Sequence, residues 1–197
     1  MDNRVTRAND ATSKAFDELL KINAGRMRSI DSIVAALFEL MRDKPYADIT
    51  VSDICAAAGV SRKTFYRSFE SKVSVVKMHV DMVYLDCSKK NGFARSGARS
   101  IYMYFYEHML KEPAFAKLFV EPDLFDIMTD KIKEYVEIEL EDTWYNSVAF
   151  EPMLAEYYLK FAAVGISSLM RIWVQNNCKT PAKTMAILTE RLLSGVL

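Results

Sequence analysis

The chain has 197 residues, 51% of them apolar, enough to bury a substantial core and to build one domain of about 50 residues and a larger second one. Its 26 Lys and Arg balance 26 Asp and Glu, so any attraction to nucleic acid has to come from how charge is distributed, not from its total. No internal repeat or low-complexity segment is present, and charges at Asp2, Arg4, Arg7 and Asp10 ahead of any apolar run argue against a secretory leader.

In residues 1–25, Phe16, Leu19 and Leu20 hint at a short helix ending near Gly25. Ile30, Ile33, Val34, Leu37, Phe38 and Met41 then recur at helical intervals, and Pro45 stops that run near Lys44. Arg26 and Arg28 stand just before this helix, where they serve either as a basic arm reaching a phosphate or minor groove or as solvated surface arginines.

Residues 50–72, TVSDICAAAGVSRKTFYRSFESK, read as two short helices around a tight corner. Thr50 caps the first, with Asp53 as the acidic half of a capping box and Ile49 and Ile54 at the staple positions. Ser61 caps the second, with Val60 and Phe65 as its staple, and Gly59 sits where the backbone must turn left-handed. At about 100° per residue, Phe65 and Phe69 share one side of the second helix, while Lys63 and Arg67 point the opposite way with Thr64 and Tyr66 on the flanks. Outward cations attract phosphates and can bond guanine O6 and N7, and a Tyr or Thr hydroxyl can bond a phosphate oxygen.

Thr50, Val51, Asp53, Ile54, Ala58, Gly59, Val60, Ser61, Thr64, Phe65, Tyr66, Phe69 and Lys72 follow a T-V-x-D-I-A, A-G-V-S, T-F-Y-x-x-F pattern with a lysine opening the next helix. By these residues the segment resembles the DNA-binding domain of the TetR-type transcriptional regulators. The resemblance implies a duplex-contacting set of Thr50, Ser61, Arg62, Lys63, Thr64, Tyr66, Arg67 and Lys72. Within it Thr64, Tyr66 and Lys72 hold phosphates, and Arg62, Lys63 and Arg67 are candidates for bases or phosphates. Ser68 departs from the family's usual His or Tyr, and Val73 and Ser74 replace an acidic pair. The expected architecture is all-α, with an extension over 1–25, a three-helix helix-turn-helix domain over 26–77, and a helical effector-binding and dimerisation domain over 78–197.

Beyond Lys77 no strand-like alternation occurs, and Val80, Val83, Tyr84 and Cys87 follow a helical stripe. Breaks are expected at 91–97, Pro113, Pro122, 146–152 and Thr180–Pro181. Residues 26–77 carry nine Lys or Arg against six acids, and residues 121–160 carry eleven acids against three lysines. The acidic stretch would repel a phosphate backbone, so it is expected to point away from DNA.

Aromatic and Met residues at Tyr102, Phe105, Tyr106, Met109, Trp144 and Trp173 are either plain core or, as the resemblance implies, candidates for lining an effector cavity. Residues 157–174 are the most apolar run, but Lys160 and Arg171 inside it argue for a helix buried in protein and not a membrane span. By the resemblance, segments 152–176 and 181–193 form a four-helix interface with a second copy, with Ala162, Gly165, Ser168, Leu169, Ile172, Leu188 and Leu192 as interface candidates. The Arg-Ile-Trp-Val layout also resembles the Firmicutes branch that includes the dihydroxyacetone kinase regulators, some of which act through a protein partner or as activators.

His79 and His108 have no Cys or Asp neighbour at metal-ligand spacing, and Cys55, Cys87 and Cys178 form no C-x-x-C. With no phosphate-cradling glycine loop and no G-x-S-x-G elbow, neither catalysis nor a cofactor or metal is expected. The functional expectation is a cytoplasmic homodimeric regulator, a repressor on a near-palindromic double-stranded operator, released by a small-molecule or protein effector. The alternative is a helical ligand-binding or adaptor protein, a co-activator that needs a partner to act on DNA.

Overall fold

The computed structural model describes residues 24–91, 97–143 and 152–194. Among these, every regular element is helical: α1 (Ala24–Asp43), a 3-10 turn (Tyr46–Asp48), α2 (Val51–Ala58), α3 (Arg62–Tyr66), α4 (Lys72–Asn91), α5 (Gly97–Lys111), α6 (Pro113–Lys117), α7 (Pro122–Thr143), α8 (Pro152–Gln175) and α9 (Ala182–Ser194). The expected all-α class holds. The short helix expected before Gly25 lies outside the described residues.

Two compact units divide the described chain, one ending at Leu85 and the other beginning at Asp86. In the first, α1 packs on α2 and α2 on α3. Ile30, Ile33, Leu37 and Met41 of α1 are buried with Ile54, Phe65, Phe69, Val75 and Val76, the stripe that helical spacing predicts. One detail differs: α1 already includes Gly25, Arg26 and Arg28. The two arginines therefore stand on a helix and not on an arm preceding it, because glycine inside a helix costs only about 1 kcal/mol and the apolar stripe behind it more than compensates. Pro45 ends α1 as expected, and the chain then makes the 3-10 turn instead of an irregular loop.

In the second unit α5 packs against α9 and α7 against α8. Breaks fall where the prolines stand, with Pro113, Pro122 and Pro152 opening helices. The turn after α8 is left-handed at two residues that are not glycine, Asn177 (φ 56°) and Cys178 (φ 53°). It is held by Cys178 N–H donating to Trp173 O at 2.9 Å and by the Trp173 indole donating to Thr180 O at 2.7 Å. No described helix is long and apolar enough to cross a membrane.

The corner between α2 and α3 rests on Gly59 at φ 65° and ψ 30°, with its N–H on Ala56 O and the Val60 N–H on Cys55 O. A Cβ there would meet open space, so the cost of a side chain is conformational and not steric. Gly59→Ala is expected to lower unfolding free energy by about 1–2 kcal/mol, read as a shift in urea midpoint at constant slope.

Candidate nucleic-acid interface

Each short helix of the corner is started by a side chain. Asp53 N–H donates to Thr50 Oγ1 at 3.1 Å, and Asp53 Oδ2 accepts from the Thr50 N–H and O–H, both at 2.9 Å. Hydrogen bonds from the Thr50 backbone and hydroxyl, with Lys44 at 3.5 Å, hold the Asp53 carboxyl below its ordinary range. At α3, Thr64 N–H donates to Ser61 Oγ at 3.0 Å, and the Ser61 and Thr64 hydroxyls share a bond of 3.0 Å.

The expected second helix is a single turn and a half: α3 ends at Tyr66 with Arg67 as C-cap, and a bond from Phe69 N–H to Phe65 O at 2.9 Å carries the helical pattern to Phe69. Phe65 and Phe69 are buried with ring centroids 5.7 Å apart. Arg62, Lys63 and Arg67 are exposed, and Tyr66 is 51% exposed. The arrangement is a compact cationic surface on an apolar anchor, able to present N–H and O–H donors to anionic oxygens.

Five of the expected contact residues, Thr50, Ser61, Arg62, Thr64 and Lys72, also bond within the fold. Thr50 accepts from the Asp53 N–H as the cap of α2 and donates its hydroxyl to the Asp53 carboxylate. Lys72, expected to hold a phosphate, sends its ammonium to the carbonyls of Tyr46 (2.7 Å), Ala47 (3.2 Å) and Ile49 (3.0 Å) and lies 4.2 Å from the Tyr46 ring centroid. The first turn of α4 is thereby clamped to the segment that leads into the Thr50 cap. Nothing in local spacing pairs residues 26 positions apart; the one signal was an aromatic residue following Pro45. A further contact not foreseen is the Arg62 guanidinium donating through Nη1 to Ser52 Oγ at 3.2 Å.

The effector candidates divide. Tyr106, Met109 and Trp173 are fully buried. Tyr106 packs edge-on to Trp173 at 5.0 Å and shares a hydrogen bond of 3.0 Å with Thr189, and burial pushes its hydroxyl pKa up to about 12. Phe105 stacks with Tyr135 at 6.4 Å, and Tyr102 is half-buried. Tyr106, Met109 and Trp173 are thus part of the interior of this unit, with the polar atoms of Tyr106 and Trp173 bonded inside the fold; Trp144 lies outside the described residues.

The interface candidates divide too. Ala162 is buried inside its own chain, as are Ala163, Ile166, Met170 and Trp173. The small side chain serves packing within the subunit instead of the approach of a second one. Facing outward on α8 are Tyr157 (70% exposed), Phe161 (67%), Val164 and Ile172 (54%), joined by Leu188 and Leu192 of α9. Gly165, Ser168 and Leu169 are half-exposed, and a Cβ on Gly165 would meet open space. His108, which has no Cys or Asp neighbour at metal-ligand spacing, has the Glu112 carboxylate one turn on at 3.1 Å. Cys55 and Cys87 are buried, and partial burial raises the Cys178 thiol.

A glycine-cornered pair of capped helices with an apolar anchor behind and cations in front defines a helix-turn-helix domain. Residues 33–77, which span the helix-turn-helix and the start of α4, match the model of the bacterial regulatory proteins of the tetR family. Over 52 residues it is 44% identical to the HTH-type transcriptional regulator EthR of Mycobacterium tuberculosis, a stretch covering 26% of this chain and 24% of EthR. The chain thus matches about a quarter of the length of that curated relative.

Across most of their length, two solved structures share the fold. The dihydroxyacetone kinase operon activator DhaS has a TM-score of 0.57 at 17% identity, covering 85% of this chain and 94% of its own. A TetR transcriptional regulator from Streptococcus agalactiae 2603V has a TM-score of 0.59 at 16% identity, covering 86% and 95%.

Because Lys72 serves three carbonyls, Lys72→Met is expected to cost about 1–3 kcal/mol of stability in the absence of any DNA. Urea unfolding of the free protein checks this; an unchanged midpoint would return Lys72 to a purely phosphate-directed role.

Proposed function

We propose that the chain is a DNA-binding transcriptional regulator, acting in the cytoplasm as a homodimer on a near-palindromic operator, as a repressor released by a small-molecule or protein effector. The observation that carries this reading is the outward set Arg62, Lys63 and Arg67 on a helix fixed by buried Phe65 and Phe69. Arg and Lys at such positions read guanine edges, while Tyr66 supplies a hydroxyl to the backbone. Two-fold symmetry in the protein asks for two-fold symmetry in the site.

Support for the dimer comes from the uncovered apolar face of α8 and α9. Tyr157, Phe161, Val164, Ser168 and Ile172 recur at helical intervals on one stripe, flanked by Leu188 and Leu192. Open space over Gly165 lets another helix come near. Phe161→Glu is expected to give a monomer in sedimentation equilibrium at micromolar protein, since it sets a charge in the middle of that stripe. A dimer of unchanged strength would remove α8 from the interface.

The reading as a whole is tested by selecting bound genomic fragments at physiological salt, then repeating the selection with cell metabolite extract present. A shared palindromic half-site is expected, and loss of binding with extract would identify a source of the effector. Replacing Arg62, Lys63 or Arg67 by Ala should change the preferred sequence by about 1–3 kcal/mol per lost base contact, whereas Tyr66→Phe should weaken binding to all sequences alike. Enrichment of no common half-site would overturn the reading.

A further inference from the structure

We propose that Ser52 is a positioning residue for base recognition: from α2 it holds the guanidinium of Arg62, the first residue of α3, in the attitude in which it meets the duplex. The inference rests on the reading of α3 as the element that contacts bases. Arg62 is anchored from two sides. Its Nη1 donates to Ser52 Oγ at 3.2 Å, and its guanidinium carbon lies 5.9 Å from the centroid of the Tyr66 ring one turn on. Ser52 and Arg62 are both exposed, so the bond spans the corner on its solvent side, away from Phe65 and Ile54 in the core.

An unrestrained arginine on a surface loses much rotamer freedom when it binds, and that loss weakens the contact it makes. Here a hydroxyl takes one of the five N–H donors and an aromatic ring takes one face. Four N–H groups are left for a forked contact to a base edge. Ser52 contributes no charge, so it acts on which base is preferred and not on the general attraction to phosphate. Neither cap depends on it: Thr50 and Asp53 start α2, and Ser61 starts α3.

The test selects duplexes from a randomised library with the wild type, Ser52→Ala, Ser52→Thr, Arg62→Ala and the Ser52→Ala/Arg62→Ala double variant. Alanine suits an exposed helical position, so the thermal midpoint of Ser52→Ala should stay at or above that of the wild type. Ser52→Ala is expected to relax the preference about two- to tenfold at the base pair that Arg62→Ala relaxes. It should leave the salt dependence of affinity unchanged and add nothing in the double variant, while Ser52→Thr, which keeps the hydroxyl, should retain the wild-type preference.

An unchanged profile for Ser52→Ala, a relaxed preference at a different base pair, or additive losses in the double variant would each overturn the inference while leaving base reading by α3 standing. A wild type that enriches no shared sequence would instead overturn base reading itself, and this inference with it.

Discussion

A helix as short as α3 has no stability of its own, because helix nucleation is unfavourable and only a few backbone bonds follow it. What gives α3 a direction is the burial of Phe65 and Phe69, each worth roughly 1.5–3 kcal/mol when fully removed from water. Those rings occupy one side of the turn, so residues 62, 63, 66 and 67 take the other. Aiming of the cations is therefore a result of hydrophobic packing and needs no anion to be present. The left-handed corner at Gly59 and the two hydroxyl caps set where the turn begins; the phenylalanines set how it is rotated.

The same partition of one helix into two faces governs the second unit, with the balance shifted. Helix α8 buries Ala162, Ala163, Ile166, Met170 and Trp173 against its own chain and still presents Tyr157, Phe161, Val164 and Ile172 to solvent. Charged and polar residues of α8, among them Glu156 and Lys160, share that outer side with the exposed apolar ones. At its end, Trp173 ties the turn to Thr180, and Tyr106 is joined to both Trp173 and Thr189. The aromatic residues of this unit thus link α5, α8 and α9 into one packed layer.

What was legible in the sequence is what acts over a few residues. Caps at Thr50 and Ser61 and the glycine corner have partners within five positions, the prolines open helices by their own geometry, and the apolar stripe of α1 repeats every three or four residues, so each stands where spacing predicts. Composition alone could not sort residues on α8, because inward Ala162 and outward Phe161 are neighbours in the uncharged apolar stretch 161–166. Nor does composition give the partners of the buried aromatics: Tyr106 and Trp173 bond Thr189 and Thr180, 83 and 7 positions away. The start of α1 is not legible at Gly25, a residue that commonly ends helices, and the helix runs through it so that Arg26 and Arg28 stand exposed on its first turns. Lys72 was assigned from its place in a family pattern, and its partners, 23 to 26 residues away, are invisible to any local rule.

The ammonium of Lys72 has a mechanical meaning for the corner. Salt and water compete poorly for a charge that already faces three carbonyls and an aromatic ring, so the joint between the start of α4 and the strap entering α2 has little play. One side chain at the head of α4 thus fixes where the strap into the Thr50 cap lies.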